Sequence, residues 1–296
     1  MFAGILLSVT ASVAFGLLSY YSVFLLPLDG YGIFAWRVIF TLLVLTLVLS
    51  LRQRWPAFVA EIKALKQQPY AWPAMLFCST LIAVQLGLFG WAPVNGQGQA
   101  LAMGYFLLPL SLVLTGRLMY GEQLSALRKV AVGLALLGVV AGLITKGGFS
   151  PVSLLVMLGF PPYFMVRKRM RLNALNGMLA EHILMIPLAL IILSLQDFNP
   201  HYFSHKGWLG WPVLLGLGLV STTALLSYMG ASQRLPLVLF GMLGYVEPLL
   251  LFAVALMLGE AVTAMDMWTY IPIWLAVLCL VLEGSRQLIR QHRGMI

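Results

Sequence analysis

The chain has 296 residues, of which 61% are hydrophobic and 9% are charged, and its formal net charge is +9. A soluble domain is about 45–50% apolar and about 25% charged, because it must cover its outside with polar groups. The composition therefore excludes an ordinary soluble domain and indicates a chain that is solvated by lipid.

Ten stretches approach the length of about 20 apolar residues that crosses the hydrocarbon core of a bilayer. In chain order they are 2–24, 31–51, 71–91, 98–117, 128–145, 150–166, 178–195, 209–230, 236–258 and 267–287. The longest polar connection runs from 51 to 69, which leaves no room for a separate soluble domain. We therefore predict an all-α polytopic membrane protein with ten transmembrane helices.

The positions of lysine and arginine predict the orientation. If the N-terminus is inside the cell, 15 of the 18 basic residues fall in cytoplasmic segments. Only Lys146 and Lys206 fall on the opposite side, and Arg37 lies within a span. The positive-inside rule then places both termini in the cytoplasm of a multi-pass inner (plasma) membrane protein. The net positive charge is explained by these anchors and by anionic headgroups, so no nucleic-acid partner is expected.

One segment occurs twice. The two copies are Gly104-Tyr105 with Pro109 leading to Gly121-Glu122, and Gly244-Tyr245 with Pro248 leading to Gly259-Glu260. Each copy is followed by one further span, so the chain divides into five-helix repeats over 1–145 and 150–290. Because five is odd, the second repeat must enter the membrane inverted. Inverted repeats are typical of secondary transporters, in which two related halves expose a site to alternate sides.

Few ionisable residues fall well inside predicted spans, where each costs about 2.5–3.5 kcal/mol near a helix centre. Arg37 could bind a carboxylate or a phosphate through its planar guanidinium. Glu247 could hold a cationic group or a proton. The alternative is that Arg37 and Glu247 pair with each other, directly or through water, and only hold the bundle together. Glu181 and His182 lie one turn inside the seventh span, where side chains reach water, and this favours a structural role.

Further candidates are aromatic and amide side chains that could line a cavity, and residues that could interrupt a helix. The wall candidates are Tyr105, Tyr245, Trp36, Trp91, Asn95 and Gln85. The helix-break candidates are Gly16, Pro109, Pro161, Pro162 and Pro248. A proline inside a helix frees a carbonyl one turn earlier, and breaks at matching places in two halves mark transport sites. An ordinary kink, satisfied by neighbouring helices, is the alternative.

The order and spacing of these motifs resembles the drug/metabolite transporter superfamily with its EamA-type paired repeats, and within it the RarD-type permeases. The residues that carry the resemblance are Arg37-Val38-Ile39, Trp91-Ala92-Pro93-Val94-Asn95, Gly104-Tyr105-Phe106 with Pro109, Tyr120-Gly121-Glu122, Gly177-Met178-Leu179 with Glu181, Gly244-Tyr245 with Pro248, Gly259-Glu260 and Ile273-Trp274-Leu275-Ala276. The resemblance implies a central cavity lined by predicted helices one to four and six to nine. It also implies that helices five and ten lie at the periphery as a homodimer surface.

We therefore expect a secondary transporter, or permease, that moves small organic metabolites or drugs across the membrane by alternating access. Amino-acid-like substrates and export are the favoured expectations, and transport is either coupled to protons or facilitated exchange. The alternative is a flippase for a lipid-linked substrate. A membrane enzyme is not expected, because the aspartates Asp29, Asp197 and Asp266 fall in separate outer loops rather than in a metal-binding cluster. No metal or other cofactor is expected.

Overall fold

The computed structural model describes residues 2–120, 125–146, 149–170, 172–195, 198–235 and 243–293. Gly121 and Glu122 of the repeated motif, and the side chain of Pro109, lie outside this description. Every regular element within the described ranges is helical. The prediction of an all-α chain is confirmed.

Twelve α-helices and two 3-10 turns make up the described fold. The α-helices are α1 (Phe2–Tyr21), α2 (Gly30–Leu51), α3 (Trp55–Lys66), α4 (Ala71–Val94), α5 (Gly98–Tyr120), α6 (Ala126–Lys146), α7 (Pro151–Met170), α8 (Ala174–Leu195), α9 (Phe198–Lys206), α10 (Gly210–Arg234), α11 (Val246–Met257) and α12 (Ala264–Arg293). The 3-10 turns are Ser22–Leu25 and Gly207–Leu209. Asp29 caps α2, since its Oδ1 accepts a hydrogen bond from the Gly32 amide at 2.8 Å.

Six helical segments are long and apolar enough to cross a membrane. They are Phe2–Leu25, Gly30–Leu51, Ala71–Val94, Ala174–Leu195, Tyr202–Ala231 and Ala264–Glu283. Three shorter apolar helices accompany them, at Gly98–Leu112, Pro151–Arg167 and Val246–Met257. The chain is therefore a multi-pass helical membrane protein, and the count of ten spans stays a prediction.

Helix α3 was not predicted, because it lies in the polar connection between two spans. It begins at Trp55 with Pro56 in its first turn, a position where proline's missing N–H costs nothing. Of its side chains only Leu65 is buried. The sequence of this segment is too polar and too short to cross the bilayer, so α3 lies against the end of the bundle and does not span it.

Large apolar side chains face outward and several polar side chains are buried, which is the reverse of the arrangement in a soluble protein. Large apolar side chains point away from the bundle on several helices, for example Leu6, Leu43, Leu47, Leu190 and Ile191. Buried side chains in turn include Arg37, Gln85, Glu181, His182 and Glu247. Such a surface suits hydrocarbon rather than water, and intramembrane ionisable side chains are expected to face the bundle interior.

The helices pack through pairs that connect distant parts of the chain. The principal pairs are α1 with α10 and α11, α2 with α4, α8 and α10, α4 with α7 and α8, α5 with α7 and α11, and α6 with α12. Gly104 allows the close approach of α5 to α7, because a Cβ added there would lie 2.6 Å from Cβ of Val156. Small residues at such crossings let helix backbones approach closely in lipid.

The predicted helix breaks at Gly16, Pro109, Pro161 and Pro162 are wrong, because α1, α5 and α7 run continuously through these positions. Packing explains Gly16, where an added Cβ would lie 3.0 Å from Cβ of Leu250 on α11.

In α7 a neighbouring helix satisfies the carbonyl that Pro161 frees. Ser111 Oγ on α5 lies 2.8 Å from the Met157 carbonyl oxygen and 2.7 Å from that of Leu108, so its proton is shared between them. The Ser111 hydroxyl of α5 therefore takes the place of the missing backbone N–H, and α7 continues past Pro161.

Candidate functional site

Arg37 lies in the middle of the bundle, on α2, and is only 2% exposed. Its Nε donates to Ser221 Oγ of α10 at 2.9 Å, and its Nη1 donates to the Leu86 carbonyl of α4 at 3.4 Å. The guanidinium lies over the Phe89 ring at 5.2 Å, within the range of a cation–π interaction. Nη2 is buried without a partner, and no described carboxylate lies within ion-pair distance of Arg37.

Glu247 lies in the first turn of α11 and is 6% exposed. Its Oε1 is buried and accepts no hydrogen bond within the described part of the chain. Tyr105 on α5 is in electrostatic range of both Glu247 and Arg37, and Tyr228 on α10 is in range of Glu247. Arg37 and Glu247 do not form a direct ion pair, which was the direct form of the alternative to a functional role. Instead, Tyr105 lies near both ionisable groups, and Tyr228 lies near Glu247.

Aromatic rings line the space around these groups. Phe89 contacts Phe15 at 5.7 Å and Tyr105 at 6.1 Å between ring centroids, and Tyr105 contacts Phe160 at 5.9 Å. Phe15 also contacts Tyr228 at 6.2 Å. These rings come from α1, α4, α5, α7 and α10, so the wall is built from helices that are distant in sequence.

Glu181 is held differently, in a buried ion pair. Its Oε1 lies 3.1 Å from Nε of Arg167, and its Oε2 accepts from the Tyr163 hydroxyl at 3.2 Å. The ion pair is electrostatic rather than a well-aligned hydrogen bond, since Oε1 accepts none. Glu181 is 1% exposed, so the expectation that it reaches water is wrong, and its partner Arg167 comes from the end of α7. The arrangement is consistent with the structural role expected for Glu181.

Two further candidates are buried and make one contact each. His182 Nδ1 lies 2.8 Å from the Met178 carbonyl, while its Nε2 has no described partner. His182 is also in electrostatic range of Arg37. Gln85 Nε2 donates to the Leu155 carbonyl of α7 at 2.8 Å, and Oε1 is left without a partner. Both side chains therefore face the interior.

The remaining wall candidates divide between the interior and the ends of the bundle. Tyr245 is 5% exposed, in a turn directly before α11 and three residues before Pro248, and its hydroxyl has no described partner. Trp36 packs against Phe203 and Trp211, and Trp91 lies against Gly30.

Asn95 is exposed and its Nδ2 donates to the carbonyl of Trp91, one turn earlier. It is thus a local cap at the end of α4, and the structure does not bring it to the interior.

Two described cavities lie at opposite ends of the bundle. One of about 450 Å³ lies between the start of α4 and the end of α7, next to Tyr70 and Arg169. The other, of about 480 Å³, lies between the starts of α5, α7 and α12, and includes Gln99, Glu260 and Asp266. Arg37 and Glu247 are 2% and 6% exposed, so the space around them is closed to solvent in this conformation. Arg37 Nη2 and Glu247 Oε1 have no hydrogen-bond partner among the described residues.

Sequence reasoning missed three partners of the charged residues. Ser221 and Phe89, which hold Arg37, are 184 and 52 residues away from it, and Arg167 was assigned to a cytoplasmic loop. Ordinary apolar and hydroxyl residues carry no sequence signal for such contacts. The short spacing between Arg167 and Glu181 across the α7–α8 turn was the one available clue.

Relatives of known name match the whole chain. It is 42% identical to the chloramphenicol-sensitive protein RarD of Pseudomonas aeruginosa, over 98% of this chain and 97% of that protein. It is 36% identical to an uncharacterized transporter of Pasteurella multocida, over 99% of this chain and all of that protein. It is 30% identical to the protein RarD of Salmonella typhi, over 95% of both chains.

A crystal structure of another protein shares the fold. It superposes with a TM-score of 0.58 at 17% sequence identity, over 95% of this chain and 98% of the other. No family model matches the sequence.

Proposed function

Because the chain belongs to the RarD family of membrane transporters, we propose that it is a secondary transporter of small organic molecules that carry a carboxylate. Amino-acid-like compounds, which also carry a cationic group, fit the proposed site best. Arg37 binds the carboxylate of the substrate, and Glu247 holds the substrate's cationic group or a coupling proton.

The observation that carries the proposal is the unpaired charge of Arg37. A buried cation without a counter-ion is strongly destabilising, since the effective desolvation cost is several kcal/mol per ion. Among the described residues Arg37 nevertheless has one hydroxyl, one carbonyl and an aromatic face as neighbours, and its Nη2 has no partner there. An anionic group of the substrate would complete this site with the paired donors that a guanidinium offers.

The helix contacts support a division into two inverted halves, 1–145 and 150–290, that alternate access to this site. Exchange of the halves matches α1, α2, α4, α5 and α6 with α7, α8, α10, α11 and α12. The contact α1–α10 then becomes α7–α4, α5–α7 becomes α11–α1, and α2–α10 becomes α8–α4. The contacts α2–α8, α5–α11 and α6–α12 map onto themselves, and all of these pairs occur in the fold.

The remaining parts of the proposal concern topology. The excess of Lys and Arg supports an inner-membrane protein with ten spans and with both termini in the cytoplasm. Helices α6 and α12 pack mainly against each other, which supports a peripheral position and a role as a homodimer surface. We propose export as the physiological direction.

A flux screen of purified protein in proteoliposomes tests the function. The panel contains amino acids, aromatic metabolites and antibiotics, and each zwitterion is paired with its carboxamide, which lacks the negative charge. We expect counterflow of the carboxylates and little counterflow of their amides. Equal flux of both members of each pair would contradict the role of Arg37.

A further inference from the structure

Glu260 connects the two halves of the chain at one end of the bundle. It follows α11 and accepts two backbone hydrogen bonds from the start of α5, from Gly98 N at 2.5 Å and from Gln99 N at 2.9 Å. These amides have no partner within their own helix, and the positive end of a helix favours a carboxylate. The carboxylate therefore caps a helix that is more than 160 residues away in sequence.

Two further hydrogen bonds surround this contact. Gln99 Nε2 donates to the Ala261 carbonyl at 3.3 Å, and the Tyr270 hydroxyl donates to Gln99 Oε1 at 2.7 Å. Gly98 is fitted to the contact, because an added Cβ would lie 2.8 Å from Glu260 Oε1 and 3.0 Å from Cβ of Ala255. The four-part contact joins α5 to the chain segment between α11 and α12.

The position of the contact relates it to the proposed site. Helix α5 carries Tyr105 and α11 carries Glu247, so Glu260 joins the start of one helix that bears a site residue to the end of another, and on α11 it follows the end opposite to Glu247. Glu260 and Gln99 also line the cavity of about 480 Å³ at this end, as does Met103, one turn deeper on α5. Any separation of α5 from the segment between α11 and α12 would break the contact of Glu260 with Gly98 and Gln99.

We propose that the Glu260 cap on α5 is the outer gate of the transport cycle, closed in this conformation, and that it must break for the site to open outward. The inference rests on the proposed function for its meaning in transport. The separation of the helices itself can be measured without a substrate. Glu260 is here a positioning residue, since it acts on the helices and not on the transported molecule.

Glu61 provides a matched control at the other end of the bundle. Its Oε2 accepts from the Asn173 backbone N–H at 2.9 Å, directly before α8. It is thus also a glutamate of one half that accepts a backbone hydrogen bond near a helix start of the other half. A change of this residue to glutamine alters the same chemistry away from the proposed gate.

The experiment measures the reaction rate of a cysteine at position 103, which lies one turn deeper on α5 than the residues that Glu260 caps. Met103→Cys is introduced with Cys78→Ala and Cys279→Ala, and a membrane-impermeant maleimide is added to the outside of intact cells. We expect Glu260→Gln to raise the labelling rate about tenfold, the effect of losing roughly one charge-assisted hydrogen bond. Glu260→Asp, which is one methylene shorter, should give a smaller rise, and Glu61→Gln should give none.

Two results would overturn the gate. An unchanged labelling rate in both Glu260 variants would show that the cap does not limit opening. An equal rise in Glu61→Gln would show general loosening of the bundle. Either result leaves the transport proposal intact, because the flux screen does not depend on the labelling.

Discussion

Two buried charged groups in this protein have opposite surroundings. Glu181 is paired with Arg167 at 3.1 Å and accepts a hydrogen bond from Tyr163, whereas no carboxylate among the described residues lies within ion-pair distance of Arg37. Both sites are almost fully buried. The difference shows that the charge of Glu181 is paired within the folded chain, and it supports the proposal that the charge of Arg37 is paired by the substrate.

The largest expected effect is on stability at the paired site. Arg167→Met leaves Glu181 buried without its cation, so the free energy of unfolding should fall by about 3–5 kcal/mol. Adding Glu181→Gln removes the uncompensated charge and should restore much of this loss. Thermal unfolding in detergent measures both, and a double variant no more stable than the single one would contradict the pairing.

At the unpaired site the effect should fall on transport instead. Arg37→Gln should lower the flux of a carboxylate substrate about a hundredfold, since loss of one partner of a buried charge pair costs about 2–5 kcal/mol of binding. Unfolding should not become easier, because no carboxylate of the described chain loses its partner. An Arg37→Gln variant that is less stable but transports normally would contradict this difference between the two sites.

Glu247 tests whether the second charge handles a proton. With one coupled proton, a difference of one pH unit supports an accumulation of about tenfold. In proteoliposomes Glu247→Gln should abolish this pH-driven uptake and leave passive exchange largely intact. Tyr105 and Tyr228 are the other titratable groups facing it, so Tyr228→Phe is the control. Unchanged pH dependence in the Glu247 variant would exclude it as the proton site.

The smallest effect concerns a contact that transport does not use. Ser111→Ala removes the hydroxyl that lies 2.8 Å from the Met157 carbonyl, which Pro161 leaves free. An unsatisfied buried carbonyl should lower the stability by about 1 kcal/mol. Ser194→Ala is the control, because that exposed hydroxyl bonds only within its own helix. Equal melting temperatures of the two variants would show that α7 tolerates the prolines unaided.

The helical, membrane-embedded character of the chain could be predicted from composition and span length alone, because both follow directly from the solvent. The burial of Arg37 and Glu247 could be predicted too, since a charge within an apolar span must face the interior. The continuity of α7 could not, because it depends on a serine of another helix. Helix α3 was missed because a short amphipathic segment has no span signal.

The sequence also did not predict which side chains contact the buried charged residues. Arg37 and Glu247 were reasonable partners by charge, yet Ser221 and Phe89 hold Arg37 and Arg167 holds Glu181. These contacts depend on how the two halves are packed, and neither local periodicity nor composition contains that information.

The central claim is that the carboxylate of the substrate pairs with Arg37. Its most direct test is ligand-induced stabilisation of the purified protein. A ligand that binds only the folded state raises the melting temperature according to its concentration over its dissociation constant. We predict that carboxylate compounds active in the flux screen stabilise the wild-type protein and Arg167→Met, and that the shift disappears in Arg37→Gln. An undiminished shift in Arg37→Gln would contradict the account.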